Sequence, residues 1–457
     1  MKRMKSPHVM LIPYPAQGHV IPLMELAVRL VNYGCKVTFV NTEFIHERVI
    51  KALPETDNIQ EIIQMVSIPD GLESSDDRSD IGKQTESIFA VMPGELMALI
   101  EQINGSESDK ITCLIADATM GCALEVAEKM GIKNVAFWPA AATQFAQLFK
   151  IPKLIDNGII DSDGIPMQNQ IIQFSPAMPI IKTMELSWNC FNDELTAKII
   201  FKLMVQILNP VKSADRIICN SSSWLESGTF ASFPDFIPIG PLLASYRHGK
   251  SAGNFWKEDS GSLAWLDQQP PNSVIYVAFG SFTIFDQNQF EELAIGLELT
   301  NRPFLWVVRE NIIEDISNAY PMGFNERVHR RGRMVSWAPQ QKVLSHPSVA
   351  CFISHCGWNS TIEGISNGIP FLCWPYFADQ LFNRSYICDY LKIGLGFNKD
   401  DSGIIRREEI KNKLEQLLSD GRFKERVLDL QTKIQNSVRE GGSSYENFID
   451  FVAWIKD

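Results

Sequence analysis

The chain has 457 residues, of which 45% are hydrophobic and 21% charged, and it carries a net charge of −12. That length predicts two or three domains, and the ordinary composition excludes a collagen, a coiled coil or a mainly disordered chain. The acidic balance argues against nucleic acid or an anionic membrane as the main partner, so an anionic ligand must be held by local chemistry.

His8 to Pro13 is an apolar run of β-formers that meets Pro13 and Pro15 at once, so it reads as a first strand and not as a signal peptide. Pro22 is expected to open a helix, with Leu23, Leu26, Ala27, Leu30 and Val31 at helical spacing. Gly34 closes that helix, and residues 36–41 (KVTFVN) form the next strand. This strand–helix–strand unit implies a parallel sheet with a right-handed crossover. Further apolar strands are predicted at 112–116, 134–137 and 216–219, with a helical pattern at 121–130. Residues 1–243 therefore read as one doubly wound α/β domain. Residues 244–261 are polar and rich in Gly and Ser, which predicts an exposed linker. The strand rhythm restarts at 274–279, 304–308, 334–337, 349–354 and 370–374, giving a second α/β domain over 262–442. The last helix, 443–457, is expected to pack back onto the first domain.

Nine cysteines occur without a CxxC pair, which predicts buried, reduced thiols and a cytoplasmic protein. No run of 18 uncharged apolar residues is present, so no membrane span is expected. The charge is uneven: residues 1–240 carry −9 and the remainder −3.

Doubly wound sheets bind ligands beyond the carboxyl ends of their strands, so the loops after strands are where chemistry is sought. The densest signal runs from Trp337 to Gln380. At its centre a strand ends, His355-Cys356-Gly357-Trp358-Asn359-Ser360 follows, and a helix begins. A helix N-terminus offers backbone N–H groups and a positive dipole end, which suits a phosphate. Gly357 allows close backbone approach, while His355, Asn359 and Ser360 add donors. Glu363, one turn further, suits two ribose hydroxyls. The Trp337 indole is placed either to stack a planar base, with Gln340 at its polar edge, or to fill the core. Asp379 and Gln380 suit sugar hydroxyls or helix capping. Gly280-Ser281-Phe282-Thr283 is another strand-end turn.

In the first domain, residues 15–22 (PAQGHVIP) follow strand one and place His19 just before a helix, where a neutral imidazole can take a proton from a hydroxyl. Asp117 closes another strand and is placed either to orient that imidazole or to cap the helix after it. A dinucleotide oxidoreductase is disfavoured because the first turn (YPAQGH) lacks GxGxxG. Asp161-Ser162-Asp163 formally matches a metal-binding DxD but sits in a Gly- and Pro-rich loop, so no metal is expected.

The 44 residues from Trp337 to Gln380 resemble the signature box of plant family 1 UDP-dependent glycosyltransferases. The likeness extends along the chain through the PxxGHxxP start, the strand ending in Asp117 and the FGS turn. It implies a GT-B fold, two Rossmann-like domains facing a cleft, with the acceptor mainly on the first and the UDP-sugar mainly on the second. It implies that Trp337 stacks uracil with Ala338 and Gln340 beside it, and that Glu363 takes the ribose. It places Ser281, Thr283, His355, Gly357, Asn359 and Ser360 on the diphosphate, and Asp379 and Gln380 on the sugar. Trp358 and Gln380 resemble glucose users. His19 would be the catalytic base, with Asp117 as its partner, in an inverting transfer that needs no metal and no cofactor beyond the UDP-glucose donor. A hydrophobic acceptor of phenolic, flavonoid or terpenoid type would meet Phe89, Trp138, Thr143, Trp188 and Phe377. A monomer is expected.

Overall fold

The structure, a computed structural model, describes residues 6–53, 58–106, 109–191, 193–243, 253–313 and 319–457. The chain forms two compact units, Met1–Lys257 with Asn436–Asp457, and Glu258–Gln435.

The first unit holds β1 (His8–Ile12), β2 (Lys36–Thr42), β3 (Gln64–Ile68), β4 (Cys113–Asp117), β5 (Lys133–Trp138), β6 (Ile171–Ile172), β7 (Ile181–Lys182), β8 (Arg216–Cys219) and β9 (Phe236–Pro238). Seven of these form one sheet in the order β3-β2-β1-β4-β5-β8-β9, with every pairing parallel. β6 and β7 make a small antiparallel ribbon. β1 and β4 are buried along their whole length, as expected of central strands covered on both faces. Their core includes Val9, Leu11, Leu26, Phe39 and Ile115. Phe448, Phe451, Val452 and Ile455 of the helix Ser443–Lys456 belong to the same core, and the Lys133 ammonium donates to the Trp454 carbonyl at 2.9 Å.

The second unit holds β10 (Val274–Ala278), β11 (Phe304–Val307), β12 (Gly332–Val335), β13 (Val349–Ser354), β14 (Phe371–Cys373) and β15 (Gly394–Gly396). Their order is β12-β11-β10-β13-β14-β15, again all parallel. In both sheets the order turns back beside the first strand. The switch points lie between β1 and β4 and between β10 and β13.

Two local expectations change. The first helix runs Gln17–Asn32, with Pro22 inside it, because the tight turn closed by Ala16 N–H on the Tyr14 carbonyl starts it early. His19 therefore lies in the first helical turn. Part of the expected linker, residues 244–252, lies outside the described residues. Of the residues after it, Gly253 and Phe255 are buried while Lys257 and Ser260 are exposed. Phe255 joins the first core, its N–H donates to Gln17 Oε1 at 3.2 Å, and Arg48 lies over the rings of Phe255 and Trp256. All nine cysteines are free thiols and all but Cys388 are buried.

Glu226 ties the loop after β8 to the chain after β5. Its carboxylate is buried and accepts from Ala142 N–H (2.8 Å), Thr143 N–H (2.7 Å) and Ser221 O–H (2.6 Å). Burial pushes its pKa up, and the Ser221 and backbone donors oppose that. Three donors to two oxygens leave no place for an amide N–H₂. Glu226→Gln is therefore expected to destabilise by about 1–3 kcal/mol, read as a lower midpoint in denaturant unfolding. An unchanged midpoint would show that the three donors do not depend on the carboxylate.

Candidate active site

β1 and β4 pair in register, Ile12 beside Ala116, so the residues after each strand emerge together at the switch point. His19 Nδ1 lies 2.7 Å from Asp117 Oδ2. Asp117 is fully buried, and its other oxygen accepts both the N–H (2.9 Å) and the O–H (2.6 Å) of Thr119. An ionised carboxylate accepts only, so Nδ1 carries the proton and Nε2 holds the lone pair. The imidazole remains 28% exposed, enough for a substrate to reach. The helix Gly121–Lys129 has no side-chain cap, so Asp117 serves His19 and Thr119, not that helix.

Tyr14 packs its ring against the imidazole at 5.2 Å. Its hydroxyl donates to Thr85 Oγ1 at 2.8 Å, because the Thr85 proton goes to the Ile81 carbonyl. Burial pushes the Tyr14 pKa up to about 12, so the ring is a neutral wall. Neither Tyr14 nor Thr85 was predicted. A packing partner leaves no motif in the chain.

In the second unit Ala278 of β10 pairs with Ser354 of β13, and the next residues of each strand again emerge together. Gly280 has φ +65, a conformation that favours glycine. A methyl group at Gly280 or at Gly357 would come within 2.6 Å of His355 Nε2. The two glycines thus bring both loops against one imidazole. Burial, with Arg309 adding to it against the opposing Ala278 carbonyl, lowers the His355 pKa to about 4. His355 is therefore a neutral hydrogen-bonding group at physiological pH. Cys356 and Ala378, neither of them glycine, hold φ of +66 and +52, each costing about 1 kcal/mol or more.

Side-chain bonds hold this strained segment. Asn383 Nδ2 donates to the Cys356 carbonyl (2.8 Å) and to Asp379 Oδ2 (2.7 Å), which also accepts the Trp358 N–H at 3.2 Å. Asp379 thus meets the N-terminus of the helix Trp358–Ser366. Gln380 Oε1 accepts from the Tyr376 and Phe377 N–H groups, which turns its Nε2 to the opposite side. Gln340 Nε2 donates to Ser360 Oγ (2.9 Å) and Glu363 Oε2 (2.6 Å), and Gln340 Oε1 accepts from Tyr276 O–H. Gln341 Nε2 donates to the other Glu363 oxygen at 3.3 Å. Gln340, Gln341, Ser360 and Glu363 are thereby bonded into one cluster, and the Trp337 carbonyl accepts the Asp259 N–H. Ser281 and Asn359 are partly exposed, whereas Thr283 is 2% exposed and its hydroxyl has no partner among the described residues.

The expected acceptor residues differ in their surroundings. Phe89 is half-buried on the helix Ile81–Asn104, and Phe377 is half-buried in the second unit, edge-on to Phe282. The other three are interior. Trp138 stacks on Phe145 at 4.4 Å with its N–H on the Ala141 carbonyl. The Thr143 hydroxyl pairs with Thr229, and Trp188 is fully buried with its N–H on the Gly164 carbonyl. Their polar atoms are satisfied internally, so they pack rather than present a surface. Asp161 Oδ1 accepts the Asp163 and Ile165 N–H groups of its own loop.

Residues 10–437 match the family described as UDP-glucoronosyl and UDP-glucosyl transferase. UDP-glycosyltransferase 83A1 of Arabidopsis thaliana is 47% identical, over all of this chain and 98% of its own length. The 7-deoxyloganetin glucosyltransferase of Gardenia jasminoides is 33% identical over 96% of each chain. Os79 from O. sativa, solved with UDP, superposes with a TM-score of 0.81 at 26% identity, covering 98% of this chain and all of that one. UGT2 of Phytolacca americana, solved with UDP-2fluoro-glucose and pterostilbene, gives 0.80 at 26% identity, covering 99% of this chain and all of that one.

The chain belongs to the UDP-glycosyltransferase family. The fold is GT-B, and the enzyme transfers a sugar from a UDP-sugar to a small-molecule acceptor. No described helix of this glycosyltransferase is long and apolar enough to cross a membrane.

Were His355 to meet the donor diphosphate, as the resemblance implies, its neutrality would bear on binding. UDP-glucose has no group that titrates near neutrality, so its affinity should vary less than about twofold from pH 5.5 to 8. An imidazole of ordinary pKa would instead tighten binding as pH falls through 6.5, and calorimetric titration across this range would reveal it.

Proposed function

We propose that this glycosyltransferase moves glucose from UDP-glucose to a hydrophobic small molecule of phenolic, flavonoid or terpenoid type, with inversion at the anomeric carbon. The observation that carries this reading is the His19–Asp117 pair at a switch point, 2.7 Å apart. His19 Nε2 takes the acceptor proton as the acceptor oxygen attacks, and Asp117 stabilises the imidazolium that forms. The bond from the anomeric carbon to the diphosphate breaks in the same step. UDP leaves against the helix Trp358–Ser366, the turn at Ser281 and the neutral His355, which offset its growing charge. In this reading Trp337 stacks uracil, Glu363 takes the ribose hydroxyls, and Asp379 and Gln380 take the sugar. Glucose is supported by the relative named as a glucosyltransferase and by the neighbour solved with UDP-2fluoro-glucose. A hydrophobic acceptor is supported by the pterostilbene and trichothecene bound in neighbours. Phe89 and Phe377 are kept as acceptor contacts.

His19→Ala should lower turnover by about 10²–10⁴ while UDP-glucose affinity holds. Asp117→Asn should fall comparably, for a different reason. Thr119 and Nδ1–H present three donors, and an amide has one oxygen. The imidazole would shift its proton to Nε2 and lose its base. UDP release with a simple phenol reads both variants, and near-normal turnover in either removes the pair from the mechanism. Activity is expected to survive excess chelator, and abolition there would demand a metal.

A further inference from the structure

β11 is apolar and buried throughout, yet two residues after its end the chain places Arg309 in the interior, 1% exposed. Burying a guanidinium is unfavourable unless its donors are engaged. Nε donates to the Gly280 carbonyl at 2.9 Å, Nη2 donates to the Thr283 carbonyl, and Nη1 donates to Asn311 Oδ1 at 2.7 Å. Two of these acceptors are the first and last carbonyls of the turn Gly280–Thr283. In a trans peptide the N–H points opposite to the carbonyl. The Ser281 and Ile284 N–H groups must then face away from Arg309. Gly280 also abuts His355, and the Arg309 charge contributes to lowering that imidazole's pKa. Thr283, pinned by its carbonyl, keeps a buried hydroxyl without a partner among the described residues.

We propose that Arg309 is a positioning residue for the donor diphosphate. Its planar fork sets the peptide orientations of the Gly280–Thr283 turn, and its charge lies behind the turn where UDP leaves. The inference rests on the reading of the second unit as the donor site, and it adds a cation to a site that the sequence reading furnished only with a dipole and neutral groups. Lysine would restore the charge but not the fork.

The test compares ligands that differ only in the diphosphate. Arg309→Gln in the full-length enzyme should weaken UDP by about tenfold or more, a charged hydrogen bond's usual effect, with uridine affinity within about twofold of wild type. Arg309→Lys should recover part of the UDP affinity. Asn311→Ala, which keeps the charge and frees one arm of the fork, should weaken UDP less than Arg309→Gln does, again sparing uridine. If Arg309→Gln does not fold, the UDP-to-uridine ratio in Arg309→Lys and Asn311→Ala decides. Folded variants that bind UDP as wild type does, or that lose uridine and UDP equally, overturn the proposal. A wild-type enzyme that binds neither ligand would instead overturn the donor-site reading.

Discussion

A parallel strand delivers the residue that follows it to the carboxyl edge of its sheet. Where the strand order reverses, two such edges lie side by side without a crossover between them. Both candidate sites of this glycosyltransferase depend on that constraint, used once in each unit. Between β1 and β4 it joins His19 to Asp117, 98 residues apart in the chain. Between β10 and β13 it joins the Gly280 turn to the His355 loop. Neither site needs a long functional loop to bring its parts together. The strands that flank the two switch points, β1, β4, β10 and β13, are buried along their whole length, so a site built on their ends is pre-organised.

The segment proposed to hold the donor shows how such a site is held against its own strain. Left-handed Cys356 and Ala378 are unfavourable alone. Asn383 and Asp379 bond across them to the helix start, while Gln340 and Gln341 bond Glu363. The net charge of −12 does not decide anion binding, because surface charges are screened over about 10 Å whereas the groups proposed to meet the diphosphate are local. They are a helix N-terminus, oriented peptides, a neutral imidazole and the buried Arg309.

Much of this is legible in the chain. Apolar runs ended by Asp117 or by His355-Cys356-Gly357 mark strand ends, and strand ends mark the sites. Arg309 obeys the same rule, a charge just past an apolar strand, but two of its partners are backbone carbonyls 26 and 29 residues away, which carry no side-chain signal. Trp138, Thr143 and Trp188 mislead for the opposite reason. An aromatic or hydroxyl residue near a strand end reads the same whether it packs inward or faces a ligand, and only the structure shows each one satisfied from within. Phe255 and Trp256 likewise sit in a stretch whose Gly and Ser content reads as linker, although two aromatic rings beside Arg48 are enough to anchor it.

In the proposed mechanism a single displacement takes place, in which His19 activates the acceptor and UDP departs from the opposite face of the sugar. The most direct measurement is the anomeric configuration of the product made from UDP-glucose and a small phenol, read from the anomeric proton coupling in its NMR spectrum. Inversion of the α-linked donor gives a β-glucoside, formed one-for-one with UDP. An α-glucoside would require retention through a second nucleophile that this arrangement does not provide, and would contradict it.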